Sequence, residues 1–166
     1  MILFAEVNFV FKIQPYANWY FPIIWFGYIL VIDAIVYKIR GRSLISNHFH
    51  RFLGLLILSV LVWGFIFELF NEFIQNWVYI RLEYGSEAAK RIFGLLSFST
   101  VIPAVFETYD LIRTFHLFDH DELKKKHKLT KRFLHIMMWT GIAFLIAPIA
   151  FPNLAFPLVW ASLFFL

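Results

Sequence analysis

Apolar residues run in blocks about twenty residues long, and the charged residues gather between the blocks rather than inside them. The blocks cover residues 19–37, 52–70, 92–112 and 133–152. A helix needs about 20 apolar residues to cross a hydrocarbon layer of about 30 Å, so each block has the length of a membrane span. Each is apolar around most of its circumference, unlike the one-sided helix of a soluble domain. Residues 1–11 are too short to span and carry Glu6 and Asn8, which predicts an interfacial segment. They lack the basic start and small-residue cleavage site of a signal peptide. The pattern predicts an all-α fold, a polytopic transmembrane helical bundle with four full spans and a partial fifth.

The partial span belongs to a repeat. Phe21, Pro22, Ile23, Ile24 and Trp25 return 135 residues later as Phe156, Pro157, Leu158, Val159 and Trp160. Both copies open a membrane segment, and four spans lie between them, so both enter in the same direction, as parallel repeats require. Residues 154–166 carry no charge and are shorter than a span. The expectation is a first membrane repeat over residues 1–153. Residues 154–166 then start a second repeat, in a parent of roughly 270 residues at this period, or form a C-terminal half-helix buried against a homo- or hetero-oligomeric partner.

Composition narrows the classes. The chain is 61% hydrophobic, 21% aromatic and 16% charged, against about 25% charged in an ordinary soluble domain. That excludes disordered, collagen-like and disulfide-scaffold proteins. The absence of cysteine removes disulfides, thiolate metal sites, iron–sulfur clusters and cysteine nucleophiles. The net charge of +4 is a topology signal and not a nucleic-acid footprint. Eleven basic residues, Lys38, Arg40, Arg42, Arg51, Arg113, Lys124, Lys125, Lys126, Lys128, Lys131 and Arg132, fall in two connections, whereas the opposite face has Lys12, Arg81, Lys90 and Arg91. Basic residues near helix ends are retained in the cytoplasm. The bias predicts a cell (inner) membrane protein with its N-terminus outside and loops 38–51 and 113–132 cytoplasmic. The basic run at 124–128 reads as a solvated loop or as a contact with membrane lipid headgroups.

Ionisable groups inside a membrane are costly unless paired or hydrated, so those in the spans are site candidates. Asp33, Glu68, Glu107 and His135 lie inside the spans, with Glu72 and Asp110 at their edges. At 1.5 Å per residue, Asp33 and Glu107 are about 21 and 22 Å from the outer ends of their helices and Glu68 only about 3 Å, which predicts two separate clusters. In the outer one, Glu68, Asn71, Glu72, Gln75, Asn76 and Tyr79 share a helical face if the second span continues beyond Phe70, with Trp77 beside them. This stripe either lines an outward cavity, where a shielded carboxyl donates a proton, or is the wet side of a helix leaving the membrane. In the inner cluster, Ser97, Thr100, Ala104 and Glu107 share a face of the third span, and Pro103 kinks that helix one turn before Glu107. Asp33 with Arg40, and Asp110 with Arg113, read as structural ion pairs. The histidines do not face one another at mid-membrane, so neither haem nor a metal is expected. His116 and His120 with Asp119 and Asp121 have an i,i+4 spacing that could hold a divalent ion, but such a loop cluster is more often solvated, and they read as a solvated loop.

Over residues 52–112 the pattern resembles the membrane lycopene cyclase family of bacteria, archaea and fungi. The likeness rests on a helix ending in Glu68 and Asn71, the stretch Asn76, Trp77, Val78 and Tyr79, a short outer loop, and a helix with Pro103 followed by Glu107. In place of the family's paired acids after the proline, this chain has Glu107 alone, preceded by Ala104, Val105 and Phe106. The resemblance implies proton donation by Glu68 and Glu107 to a terminal double bond of an isoprenoid or carotenoid. Ring closure through a carbocation follows, without net redox change or cofactor. It implies Trp77 as an aromatic neighbour; with it, Asn71, Glu72, Asn76, Tyr79 and Thr100, from the two polar faces, are the candidate substrate contacts. Two other functions fit the same residues: a non-catalytic accessory subunit of a larger membrane complex, and a small transporter built on the buried acids and the repeat.

Overall fold

A computed structural model describes residues 1–75, 78, 85–116 and 129–166. Among them the secondary structure is helical, without a strand. The helices are α1 (Ile2–Val10), α2 (Tyr20–Arg40), α3 (Leu44–Ser59), α4 (Glu68–Ile74), α5 (Glu87–Ser99), α6 (Val101–Thr114), α7 (Lys131–Ala150) and α8 (Pro152–Phe165), with a π-helical stretch, Val60–Phe67, joining α3 to α4. Four helical runs are long and apolar enough to cross a membrane: Tyr20–Arg40, Leu44–Ile74, Glu87–Thr114 and Lys131–Ala150. This is the construction of a multi-pass membrane protein. Its outer surface agrees, since Leu154 is 87% and Phe164 78% exposed, a surface suited to lipid and not to water. The second span is longer than the apolar block by which the sequence announces it, 31 residues from Leu44 to Ile74.

Two compact units make up the chain, with a boundary between Ile66 and Phe67. The first contains α1, α2, α3, α5 and α6. Gly41, with φ +69°, ends α2 and turns the chain toward α3, and Ser43 caps α3 by accepting from the Ser46 N–H at 3.3 Å. Helix α6 packs against both α2 and α3, around an apolar centre of Ile29, Phe52 and Ala104. The N-terminal segment, expected at the interface, forms a helix that packs on α2. The close approach depends on Gly27, where a Cβ would stand 2.9 Å from Ile2 Cγ1. Tyr20 also donates to Glu6 across this contact at 2.9 Å.

The third span is broken between α5 and α6 at Thr100. Pro103 has no N–H for the Ser99 carbonyl, and a second device acts beside it. The Ser59 hydroxyl from α3 inserts into the ladder, donating to the Phe98 carbonyl and accepting from the Ile102 N–H at 3.0 Å. A regular helix would join those two backbone groups directly. The side chain thus satisfies groups that lipid cannot.

The second unit contains α4, α7 and α8. Helix α8 folds back along α7 after Phe151, and Gly141 of α7 admits it: a Cβ there would stand 2.8 Å from Leu166 and 3.0 Å from the Ser162 carbonyl. Val159 and Ser162 are fully buried, and Trp160 packs on Phe67 with ring centroids 4.7 Å apart. The two copies of the Phe-Pro repeat therefore pack differently, with Pro22 buried and Pro157 exposed.

Candidate functional site

The first unit brings Asp33 and Glu107 together from α2 and α6. Asp33 is three turns into α2 from the apolar side, and its carboxylate closes the start of α3. Its Oδ2 accepts from the Ser43 hydroxyl at 2.9 Å and its Oδ1 from the Ile45 N–H at 2.8 Å. Together with the Ser43 cap this satisfies two of the first-turn N–H groups of α3 and sets a negative charge at the positive end of the helix. The expected ion pairs are corrected: among the described residues no nitrogen–oxygen approach within 4.0 Å joins Asp33 to Arg40 or Asp110 to Arg113, whereas Lys90 and Glu87 do approach, at 4.0 Å. Arg40 is two turns beyond Asp33, whose oxygens are already held by donors. Arg40 and Arg113 instead line a recess together.

Glu107 lies on the inward face of α6. Ser97, Thr100, Ala104 and Glu107, the face read from the sequence, are all buried, Glu107 completely. The Thr100 hydroxyl, a candidate substrate contact, donates to the Ser97 carbonyl at 2.7 Å, so its proton is committed to its own helix. One residue beyond Glu107, Thr108 donates to the Ala104 carbonyl at 2.6 Å. Its single proton is spent there, so in the 2.7 Å contact between Tyr28 and Thr108 the tyrosine is the donor. This hydrogen bond fastens α6 to α2 beside the carboxyl pair.

Neither oxygen of Glu107 receives a hydrogen bond, and the Ser97 hydroxyl is likewise without a partner. These three are the buried, unpartnered side-chain polar atoms among the described residues, and all lie on one face of the broken α5–α6 span. The charged groups acting on Glu107 are Asp33 and, more weakly, Asp110. Two carboxylates facing each other offer acceptors only; the contact becomes a hydrogen bond when one of them carries a proton. The chemistry available is the holding and transfer of a proton in an apolar setting.

The outer candidates are less assembled. Helix α4 carries Glu68, Asn71 and Glu72, with Glu68 and Asn71 half-buried and Glu72 exposed. The helix does not continue through the expected stripe: Gln75 adopts φ +50° and its N–H bonds to the Asn71 carbonyl at 2.7 Å, a C-terminal cap. Asn76, Trp77 and Tyr79 lie outside the described residues, as do Arg81, His120, Asp119, Asp121 and the basic run at 124–128. Glu68 and His135 belong to the second unit, so the carboxyl pair of the first unit is built without them. Among the described residues no group of three or more His, Asp or Glu is placed to hold a metal ion.

Sequence reading passed over Ser59, Tyr28 and Thr108. Two of them had a signal: Ser59 and Tyr28 are isolated hydroxyls in long apolar runs, where an unpaired polar group is expensive.

Fold and site together define an all-helical membrane protein with a buried carboxyl pair between two spans. No family model, curated protein or solved structure matches the chain.

Proposed function

We propose that this chain is a membrane domain in which Glu107 holds and delivers a proton, with Asp33 as its carboxylate neighbour, to an isoprenoid or carotenoid ligand in the manner of a lycopene-cyclase-like enzyme. The observation that carries the reading is the completely buried Glu107 carboxyl with no donor on either oxygen. A structural carboxylate at such a position is held by donors, as Asp33 is. Protonation of a terminal carbon–carbon double bond by Glu107 gives a carbocation. Attack by the neighbouring double bond closes the ring, and loss of a proton from carbon to the carboxylate restores the acid, so the reaction is redox-neutral. Trp25 and Tyr28, packed edge to face at 5.7 Å on α2, supply aromatic faces suited to a cation. Glu107 is preferred to the half-buried Glu68 as the acid.

The test is expression in a lycopene-accumulating host. The wild type yields cyclised carotenoid and Glu107→Gln yields none, with equal amounts of protein in the membrane fraction. Absence of cyclised product from the wild type, or an unchanged yield from the variant, overturns the reading. The same carboxyl pair and polar track favour one alternative, proton-coupled transport, which predicts acid-driven uptake into vesicles that Glu107→Gln abolishes.

The same proposal places the N-terminus outside the cell membrane and the α2–α3 and α6–α7 connections in the cytoplasm, on the distribution of Lys and Arg. Because the chain has no cysteine, single cysteines at Ser46 and Ser86 report the orientation by one-sided labelling. Ser46 labels from the cytoplasm and Ser86 from outside; the reverse result overturns this topology.

A further inference from the structure

At the end of α2 and α6, beyond the carboxyl pair, Arg40, Arg42, Arg113 and His116 line a recess of about 540 Å³. Arg40 and Arg113 belong to the last turns of the two helices, Arg42 follows the Gly41 turn, and His116 is set by a left-handed backbone, φ +53°. No described acidic side chain lines this recess, and none stands within 4.0 Å of its three guanidinium groups. Three guanidinium groups around one cavity repel one another, and a cation at a helix C-terminus needs no partner of its own. What the recess offers is a converging set of N–H donors, and guanidinium matches the oxygens of phosphate in a bidentate fashion. By the rise of an α-helix, Arg40 is about 10 Å beyond Asp33 and Arg113 about 9 Å beyond Glu107. The recess therefore stands where a span meets its end, at headgroup level rather than in the hydrocarbon.

We propose that this recess is a binding site for a phosphate group, presented by the headgroup of an anionic lipid whose chains lie along the apolar outer faces of α2 and α6. Those faces are suitable: Tyr37, Ile39, Tyr109 and Ile112 are exposed large side chains next to the recess on the two helices. The site is independent of proton transfer at Glu107.

The test titrates the purified chain in detergent with phosphatidylglycerol, phosphatidylcholine and inorganic phosphate, and counts bound molecules by native mass spectrometry. Phosphatidylglycerol is retained in preference to phosphatidylcholine. Each basic residue near an anionic surface is worth about a fivefold change in affinity, so Arg40→Gln/Arg42→Gln/Arg113→Gln loses phosphatidylglycerol about a hundredfold. Arg113→Gln alone, a change at an exposed side chain that leaves the fold in place, loses about fivefold. The control Lys131→Gln/Arg132→Gln, on α7, retains wild-type binding. Competition by millimolar inorganic phosphate identifies free phosphate as a second source of the same chemistry; its failure to compete assigns the site to the lipid. Wild-type retention by both recess variants, or equal loss in the control, overturns the proposal.

Discussion

Asp33 and Glu107 stand opposite each other on neighbouring helices, 6% and 0% exposed, and differ in nearly everything else. Asp33 accepts from a hydroxyl and a backbone N–H and holds the first turn of α3 in place. Glu107 accepts from nothing. Burial and depth, the two properties by which both acids attract attention in a sequence, are the same for the pair and therefore decide nothing. The donors decide. An acid held by donors is a structural anion, and its charge is compensated by the helix end it caps. An acid without donors is a cost to the fold, and a cost of that kind is retained where a proton has to be moved.

The largest expected effect comes from Asp33→Ala. It leaves the Ser43 hydroxyl and the Ile45 N–H without an acceptor in a buried site, and unfolding free energy in detergent micelles falls by about 3 kcal/mol. Asp33→Asn, which keeps one carbonyl acceptor, falls by less. If Asp33→Ala unfolds at the wild-type free energy, Asp33 is not the structural member of the pair.

The second effect has the opposite sign. Glu107→Met removes an unpartnered carboxyl and fills the space with an apolar side chain, so the same measurement rises by about 1–2 kcal/mol. The function assigned to Glu107 disappears in this variant. A stabilised, inactive protein is the signature of a group kept for chemistry. A destabilised Glu107→Met would instead make Glu107 a structural residue like Asp33 and erase the difference between them.

Much of this could be read before the structure. The four spans follow from the apolar blocks, because the bilayer imposes their length, and the buried face of Ser97, Thr100, Ala104 and Glu107 follows from helical spacing. The partners of Asp33 could not be read that way. Arg40 lies on the same helix and is the natural candidate from sequence, yet the groups that hold Asp33 come from a helix start ten and twelve residues away, brought close by the Gly41 turn. The outer stripe depends on a local conformation: a polar face continues through Gln75 only if the backbone remains helical, its left-handed conformation ends α4 there, and Asn76 and Tyr79 lie outside the described residues. Pro103 announced a break in the third span but could not announce that a serine from another helix would occupy it.

That serine gives the smallest and most local test. Ser59→Ala removes the hydroxyl that separates the Phe98 carbonyl from the Ile102 N–H. The two backbone groups are in helical register, so they close directly on each other when the hydroxyl is gone, and the loss is limited to about 1 kcal/mol. Pro103 remains, and the Ser99 carbonyl still lacks its donor, so the break shortens without vanishing. Hydrogen–deuterium exchange at Ile102 reads the outcome: protection is retained if the ladder closes and lost if the break persists open. The turn that closes lies between the Ser97 and Glu107 ends of the polar face, so its closure rotates Glu107 relative to Asp33. Ser59→Ala then alters the proton transfer proposed for Glu107 more than it alters stability, and the Asp33 cap of α3 is left untouched. An unchanged activity together with a closed ladder would mean that Pro103 alone aims Glu107 at its neighbour.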